Sequence, residues 1–584
     1  PSDNWADGWT ALSQYGYLKP APTVVEVTED IASGTEVTWT ADNEYLLQTV
    51  IYVQTNATLV IEPGTVIKGA TDVSIGRRGV PELVSALWVS QGGKLYATGT
   101  VDRPIIFTAQ GDELNGNLPP TQSSLWGGVV IMGNAVINSA KQAVGNVSTP
   151  KFDKYEGLED DPDTGLPYPE HRFGGDNDRD SSGALRYVSI RHAGRIFAPD
   201  AELNCLTLGG VGDGTVLEYI EVYAGSDDGF EWWGGTAGSK YLVAGFIEDD
   251  CFDTDQGYRG TNQFWFGIKP PWTGTADSRG IESDGDLNQS AFGEQPLNQW
   301  YAYNVTSIGR GKDEQAASLG VAWNTRDEDV PSVFNSVFTD WFRGLRLDTD
   351  GLYHHTNATA LASIRNNIWD VSLAANPEGE FIFNTPGFNN SLQAALLGGV
   401  SYTNDGVLDP RPQAGSPVYQ DVLAGAPKAA SYRGAFSGPS DNWADGWTAL
   451  SQYGYLRPAT SGPVQESFGD WAARNNLPAG QDQPGDDPDG DGLPNAVEFA
   501  LGSNPNGENE DRAPAGITVE IEGQSYPAVT FTRSKTAAGA EVQVTAANDL
   551  DFANLLELVE VSVVDLGDGT ERVKIGRASC RERV

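Results

Sequence analysis

A short acidic sequence occurs twice in the chain, 22 residues apart. Asp227-Asp228-Gly229-Phe230-Glu231 returns as Asp249-Asp250-Cys251-Phe252-Asp253. If the two copies stack, each carboxylate of the first lies close to one of the second. Six carboxylates at such spacing cannot all stay ionised unless a cation neutralises them or some of their pKa values rise. These residues are therefore the first candidates for metal binding or acid–base chemistry.

Three interpretations of this acidic repeat are open. A structural cation would join two turns of the chain. A glycan would bind where aromatic rings and polar groups accompany the acids, and the neighbouring candidates are Trp232, Trp233, Trp265, Trp272, Lys240 and Arg259. A catalytic set would serve an inverting glycoside hydrolase or a calcium-dependent polysaccharide lyase, with the candidates Asp228, Glu231, Asp250 and Asp253.

A second motif has the spacing of a calcium-binding loop. Residues 487–498, DPDGDGLPNAVE, match the twelve-residue pattern D-x-D-x-D-G-x5-E. Hard oxygen ligands at this spacing suit Ca²⁺, and Gly492 permits the sharp turn. The expected metal ligands are Asp487, Asp489, Asp491, the carbonyl of Leu493, Asn495 and Glu498.

Further acidic residues form candidates for a second metal site. One set, beside the acidic repeat, is Asp227, Asp249 and Asp255. Another alternates along one segment as Asp176, Asp178 and Asp180, but it lacks the glycine and the terminal glutamate of a calcium loop. A solvated turn is the other interpretation of this second set.

Composition narrows the classes of partner. The chain has 80 acidic and 37 basic residues, a formal net charge of −43. This balance argues against nucleic acid or anionic lipid and favours divalent cations. No apolar run approaches the roughly 18 residues of a membrane span. With no H-E-x-x-H, Cys-x-x-Cys or Gly-x-Ser-x-Gly motif, zinc protease and serine hydrolase chemistry have no support.

Repeated short strands must position these acids. The 22-residue step is the length of one coil of a parallel β-helix, in which equivalent residues stack about 4.8 Å apart. Tyr219 and Tyr241 begin the matching strands, and a later step of 31 residues predicts a stack of Asn304, Asn335 and Asn366 at one corner. A further match aligns Leu59 with Leu87, 28 residues on. We expect about ten to fourteen coils over about 50–65 Å.

An almost exact repeat defines the domain organisation. Residues 1–20 return as residues 439–458 with one change, Lys19 to Arg457. We interpret residues 1–20 as the tail of a preceding tandem module and 21–458 as a complete module; a stitching error between near-identical repeats is the alternative. A linker (459–486), a calcium-loop segment (487–513) and a small, truncated, β-sandwich-like domain (514–574) follow. Residues 575–584 resemble a translated sequencing adapter and are interpreted as an artefact.

Three segments carry a resemblance to known proteins: Glu62–Ile67, Leu206–Gly212 and Asp227–Gly235. They resemble the pectin-lyase-like superfamily, and more closely a group of secreted bacterial surface proteins. Over most of residues 45–458 the resemblance implies an all-β chain with a right-handed parallel β-helix. Because this superfamily includes lyases, hydrolases, adhesins and scaffolds, it implies no single activity. Residues 487–498 resemble calcium loops of the thrombospondin type 3 and dockerin kind.

These observations predict a secreted or cell-surface bacterial protein with Ca²⁺ as cofactor. Its expected partners are an extracellular glycan or cell-surface polysaccharide and the neighbouring tandem modules. The alternative is an extracellular polysaccharide-degrading enzyme. An open groove over residues 227–265 with a basic residue beside the acids would favour the enzyme, whereas a closed corner would favour a scaffold.

Overall fold

The computed structural model divides into two compact units, Pro1–Pro458 and Ala459–Val584. It describes residues 22–139, 152–198, 201–271, 279–285, 295–312, 320–348, 352, 354, 356, 362–458, 468–475, 477–478, 480–507, 514–521, 524–534, 537, 558–565 and 570–577. The first unit is built almost entirely from short strands. The second unit combines short helices with one sheet.

The strands of the first half of the first unit are β1 (Thr23–Val27), β2 (Glu36–Trp39), β3 (Asn43–Leu47), β4 (Val50–Val53), β5 (Thr58–Ile61), β6 (Val66–Gly69), β7 (Ala86–Val89), β8 (Lys94–Thr98), β9 (Ile105–Ala109), β10 (Val129–Met132), β11 (Asp153–Lys154), β12 (Asp160–Asp161), β13 (Leu166–Pro167), β14 (Arg172–Phe173), β15 (Gly183–Arg191), β16 (Ile196–Ala198), β17 (Ala201–Glu202), β18 (Leu206–Val211) and β19 (Val216–Tyr223). A 3-10 helix covers Pro169–His171.

The second half continues with β20 (Phe230–Gly235), β21 (Ser239–Gly245), β22 (Phe252–Asp255), β23 (Thr261–Ile268), β24 (Arg279–Asp284), β25 (Tyr301–Tyr303), β26 (Thr306–Ile308), β27 (Val321–Arg326), β28 (Ser332–Phe334), β29 (Val337–Leu347), β30 (Ser363–Arg365), β31 (Ile368–Ala375), β32 (Ser391–Leu392), β33 (Leu397–Gly399) and β34 (Asp409–Pro412). The helices are Phe381–Asn384 and Ala449–Gln452, with a 3-10 helix at Pro417–Tyr419.

Parallel pairing between successive coils arranges most of these strands in three faces. Sheet A runs β4-β7-β10-β18-β20-β22-β24-β27. Sheet B runs β2-β5-β8-β15-β19-β21-β23-β25-β28-β30 through the first halves of its longer strands. Sheet C runs β1-β3-β6-β9-β15-β19-β21-β23-β26-β29-β31-β32. The predicted all-β fold with a parallel β-helix is confirmed.

Sheet C gives the length of the solenoid. Its pairing series has twelve rungs. At about 4.8 Å per rung, the described coils extend over about 53 Å. Both values lie within the range expected from the sequence.

Stacked aromatic rings fill the interior where the acidic repeat occurs. Phe230 stacks on Phe252 with 5.5 Å between ring centroids, and Phe252 stacks on Trp265 at 4.4 Å. Trp265 in turn stacks on Trp232 at 5.2 Å and on Trp300 at 6.1 Å. Alternate residues of a strand point to opposite faces, so these inward rings place the intervening carboxylates on the outer side of sheet A.

The corner between sheets B and C repeats one backbone conformation. Tyr219 and Tyr241, with φ of 54° and 60°, are left-handed and stack at 4.4 Å. The same corner position is occupied by Tyr187, Tyr219, Tyr241, Phe264, Asn304, Asn335 and Asn366, all with positive φ. The predicted asparagine stack is confirmed, and its amides donate to main-chain carbonyls of a later segment, residues 421–432.

One predicted register is wrong. Leu59 pairs with Leu95, and Leu87 pairs with Ile51, so the step between these coils is 36 residues rather than 28. The two segments are similar in sequence because each has a glycine with positive φ, Gly64 or Gly92, at a turn between strands. The sequence match had aligned two different corners.

The second unit contains helices Phe468–Arg474 and Asn495–Leu501. Its strands are β35 (Ala515–Ile521), β36 (Gln524–Ser534), β37 (Leu558–Asp565) and β38 (Thr570–Arg577). They form one antiparallel sheet in the order β35-β36-β38-β37, and a second, facing sheet is not seen in the part of this unit that the structure describes. No described helix of the chain is long and apolar enough to cross a membrane.

Candidate functional site

The acidic repeat is placed on successive coils of sheet A. Glu231 of β20 is in register with Asp253 of β22, and Asp253 is in register with Glu282 of β24. The predicted stacking of Glu231 on Asp253 is therefore confirmed. We use the name acidic column for Asp227, Asp228, Glu231, Asp249, Asp250, Asp253, Asp255, Glu282 and Asp284.

The turns before β18, β20 and β22 are each joined to the next coil by a side chain. The N–H of Asp228 donates to Oδ1 of Asn204 (3.1 Å), and the N–H of Asp250 donates to Oδ1 of Asp228 (2.9 Å). The N–H of Arg279 donates to Oδ1 of Asp250 (2.6 Å). These bonds hold Asp228 directly below Asp250, as the sequence predicted.

The acidic column is enclosed although it lies outside the solenoid core. Asp228 and Glu231 are each 8% exposed, and Asp250 is 2% exposed. Asn204 donates both to the carboxylate of Glu231 and to the hydroxyl of Tyr155. Among the described residues this region is therefore a largely closed corner, in which Asp227, Asp249 and Asp253 are the half-buried members of the column.

Burial and mutual repulsion raise the pKa of these carboxyl groups. For Asp228 burial is the larger cause and the charges of Asp227 and Asp250 add to it. The pKa values of Glu231, Asp250, Asp253 and Asp255 are raised in the same direction, again first by burial. The pKa of Asp284 is raised to about 7 by burial.

The lower part of the column has the donor set of a cation site. Oxygen atoms of Asp228, Glu231 and Asp253 lie within 4.8 Å of one another, and so do those of Asp227, Asp228 and Asp249. Oδ1 of Asp253 is buried and accepts no hydrogen bond from any described residue. Carboxylate oxygens are the ligands that Ca²⁺ prefers, so these residues fit a hard divalent cation.

The upper part of the column is neutralised by arginines. Arg279 contacts Asp250 (3.2 Å) and Glu282 (2.9 Å), and Arg326 contacts Asp284 (2.6 Å). Sequence reasoning missed Glu282, Asp284 and both arginines. The coil between Phe252 and Ile281 takes 29 residues instead of 22, so the repeat was no longer visible by spacing.

The aromatic candidates for glycan binding are corrected by the structure. Trp232 and Trp265 are 1% and 0% exposed and belong to the interior stack, because their rings point inward and stack on those of Phe230 and Phe252 respectively. Trp233 faces outward but is 4% exposed beneath Tyr155, whose ring stacks on it at 4.7 Å. Trp272 lies outside the described residues.

The basic candidates lie elsewhere on the surface. Lys240 and Arg259 line one open cavity of about 470 Å³ together with Asp213, Glu218 and Thr261. Lys240 belongs to sheet B, so this cavity is on a different face from the acidic column. The structure brings the two basic residues together around this cavity, and no residue of the acidic column lines it.

Two residues of the alternating acidic segment are already bonded. Arg259 donates to both carboxylate oxygens of Asp178 (2.7 and 2.9 Å), which also accepts from the N–H of Val136 (3.0 Å). Arg259 is the main cause that lowers the pKa of Asp178. Asp180 accepts from the N–H of Asn134 (3.0 Å). Their contacts with Arg259 and the main chain suit a structural turn, with Asp176 beside them in sequence.

The predicted calcium loop brings its acids together. Oxygen atoms of Asp487, Asp489 and Asp491 lie within 4.8 Å of one another. Asp487 accepts from the N–H groups of Gly490 (2.9 Å) and Gly492 (3.0 Å), which orders the loop. Glu498 lies in the following helix, buried, with its pKa raised to about 7 by burial and then by the three aspartates.

Leu493 and Asn495, the two other predicted ligands of this loop, form hydrogen bonds through their nitrogen atoms. The N–H of Leu493 donates to Oδ1 of Asp491 (2.8 Å). The amide of Asn495 donates to the carbonyls of Gln481 (2.9 Å) and Gln483 (3.0 Å), which directs its nitrogen to the preceding turn.

The stacked coils and the enclosed carboxylates define a β-helix protein with two candidate cation sites. The family model described as pectate-lyase like beta helix domain matches residues 30–400, more than half of the chain. The chain therefore belongs to this family, whose description indicates a carbohydrate-related role. No match to a curated protein or to a solved structure was found.

Proposed function

We propose that this protein is a calcium-binding β-helix protein that binds glycan at an extracellular or cell surface. The observation that carries the proposal is the group of Asp228, Glu231 and Asp253, whose carboxylate oxygens lie within 4.8 Å of one another; Asp228 and Glu231 are buried, and Asp253 is half-buried with a buried Oδ1. A divalent cation there would offset their repulsion and join two coils.

Calcium would stabilise the β-helix through this group. Ligand at about 100 times its Kd adds about 2.7 kcal/mol to the free energy of unfolding. We expect the melting temperature of the protein to be higher in calcium than in chelator. The triple variant Asp228→Asn, Glu231→Gln and Asp253→Asn should lose this rise and melt above the wild type in chelator. A wild-type protein whose melting and calcium stoichiometry match those of the triple variant would refute the site.

The glycan would bind on the cavity with Lys240 and Arg259. Its polar and charged lining is open to solvent, unlike the tryptophans near the acidic column. Binding of neutral and acidic polysaccharides should weaken in Lys240→Ala, with Lys94→Ala, a lysine of another sheet B strand, as the matched control. Equal loss in both variants, or none, would contradict this location.

A polysaccharide hydrolase or lyase is the second candidate. Arg279 beside Asp250 and Glu282 is a basic group next to carboxylates, which a calcium-dependent lyase needs. The enclosure of this corner favours a structural cation instead. Release of reducing ends or unsaturated uronates that disappears in the triple variant would establish the enzyme, and intact polymer throughout would support binding.

A further inference from the structure

The second copy of the repeated sequence is an integral part of the β-helix surface. We call residues 439–458 the C-terminal copy and residues 1–20 the N-terminal copy. The C-terminal copy covers the outer side of sheet C and its corner with sheet B, a surface that we call the docking flank: Tyr187, Arg191, Tyr219, Glu221, Tyr241 and Gly245.

Aromatic and apolar side chains of the C-terminal copy bury the docking flank. The ring of Trp443 packs edge-on against Tyr241 at 5.2 Å, and that of Trp447 against Tyr187 at 5.6 Å. Leu450 is fully buried against Gly245, where a Cβ atom would lie only 3.1 Å from Cγ of Leu450. Tyr241 is thereby buried, and Tyr187 and Tyr219 are half-buried.

Two buried charged residues of the docking flank recognise this segment. The carboxylate of Glu221 accepts from the N–H groups of Ala449 (2.6 Å) and Leu450 (3.2 Å). Arg191 donates to Oε1 of Gln452 (2.7 Å) and to the hydroxyl of Tyr453 (2.9 Å). Glu221 and Arg191 are both 0% exposed. The docking flank therefore combines an apolar surface with buried hydrogen bonds that fix the position of the bound segment.

The N-terminal copy has every residue that makes these contacts. Trp443, Trp447, Ala449, Leu450, Gln452 and Tyr453 correspond to Trp5, Trp9, Ala11, Leu12, Gln14 and Tyr15. The single difference, Lys19 for Arg457, falls on a residue that is paired with Asp409, outside the docking flank. By its sequence, the N-terminal copy is an equivalent ligand for the same surface.

The few residues between the N-terminal copy and β1 favour the docking flank of a second chain, rather than that of the same chain, as the surface that the N-terminal copy binds. Tyr455 packs on Phe246 at 5.0 Å, and Phe246 follows β21, six rungs or about 29 Å along the axis from β1. The equivalent Tyr17 precedes Thr23 of β1 by six residues, which span at most about 20 Å when extended.

We propose that the docking flank binds residues 1–20 of a second copy of this chain when its own C-terminal copy is released. Copies would then join head to tail, each offering its N-terminal copy to the flank of the next. In the intact chain the C-terminal copy competes from an effective concentration in the millimolar range, so the intact protein remains monomeric when dilute.

The test uses the full chain with matched substitutions in the two copies. Trp447→Ala with Leu450→Asp releases the C-terminal copy, and Trp9→Ala with Leu12→Asp disables the N-terminal copy. Sedimentation velocity should show the first variant exceeding the 62.4 kDa monomer as concentration rises. Its association should be at least about 100-fold tighter than that of the wild type. The second variant and the four-residue combination should stay monomeric.

Each other outcome has a defined meaning. A folded first variant that remains monomeric, whether or not its N-terminal copy docks on its own chain, would overturn the proposal. Association that persists in the combination would also overturn it, because exposed apolar surface would then be the cause. If the first variant does not fold, Gln452→Ala with Tyr453→Phe removes only the bonds to Arg191. It should associate more weakly, but still more than the wild type, and a monomer here would refute exchange.

Discussion

The acidic column of sheet A and the loop at residues 487–498 gather carboxylates in opposite ways. In the column, Glu231 and Asp253 come from different coils, and only strand register brings them together. In the loop, Asp487, Asp489 and Asp491 are near neighbours in sequence, ordered by N–H groups of the same turn. The acids of the loop are therefore brought together by a short segment of chain. The acids of the column are brought together by folding of the solenoid, so their repulsion contributes to its free energy of folding.

The largest expected loss of stability in the column follows from removing the buried guanidinium of Arg279. In Arg279→Ala, Asp250 and Glu282 lose their shared partner, and breaking a buried pair from one side costs about 3–5 kcal/mol. We expect this loss in calcium-free urea unfolding followed by near-ultraviolet circular dichroism. Arg279→Lys should retain part of the stability, and an unchanged Arg279→Ala midpoint would contradict the pairing.

A pH titration tests the column next, in the Glu498→Gln background, because that substitution removes the loop carboxyl whose pKa is also raised to about 7. The pKa of Asp284 is about 7 in the folded state and about 3.9 when unfolded, so between these values the folded chain binds more protons. Without calcium, the free energy of unfolding should fall as pH rises from about 4 to 7, by about 1.4 kcal/mol per pH unit for each such proton. Calcium favours the ionised forms and should flatten the slope; a slope of opposite sign would refute the raised pKa values.

Removing the last ligand of the loop should leave the column unaffected. Glu498→Gln should weaken calcium binding by the loop at least about tenfold, or about 1.4 kcal/mol. Calorimetry should therefore show one site lost or weakened, while the calcium-dependent melting of the β-helix is unchanged. Ser503→Ala, which alters a neighbouring polar group, is the control. A β-helix that melts earlier in Glu498→Gln would contradict the independence of the two sites.

The smallest expected effect concerns the cover of the column. Tyr155→Phe keeps the ring stacked on Trp233 but removes the hydroxyl that accepts from Asn204 (2.9 Å). We expect a loss of about 1 kcal/mol in the free energy of unfolding. Tyr155→Ala should cost more, because the ring itself shields Trp233. Equal melting of the two variants would show that the ring contributes nothing.

Sequence reasoning succeeded where a coil had no insertion. The 22-residue step placed Glu231 over Asp253, and the 31-residue step placed Asn304 over Asn335, because coils of constant length keep register visible. The same reasoning failed where coil lengths change, as for Leu59 and Leu95 or for the continuation of the column to Glu282.

The repeat spacing could not show whether the acidic column is covered by other residues. Alternation along β20 separates inward from outward residues, but the cover comes from Tyr155 and Asn204, which precede the strand by many residues. Trp232 changed from a candidate glycan contact to a core residue, and the choice between an open groove and a closed corner depended on this cover. The calcium loop needed no such information, since all its expected ligands lie within twelve residues.

The corner between sheets B and C has a consequence for how such proteins change during evolution. Residues from Tyr187 to Asn366 turn the chain at the same place in seven coils, each with positive φ. Because these seven coils turn in the same geometry, a gene duplication of one of them adds about 4.8 Å without altering its neighbours. Length can therefore be selected separately from loop chemistry, and lineages with longer or shorter solenoids can retain the same corner.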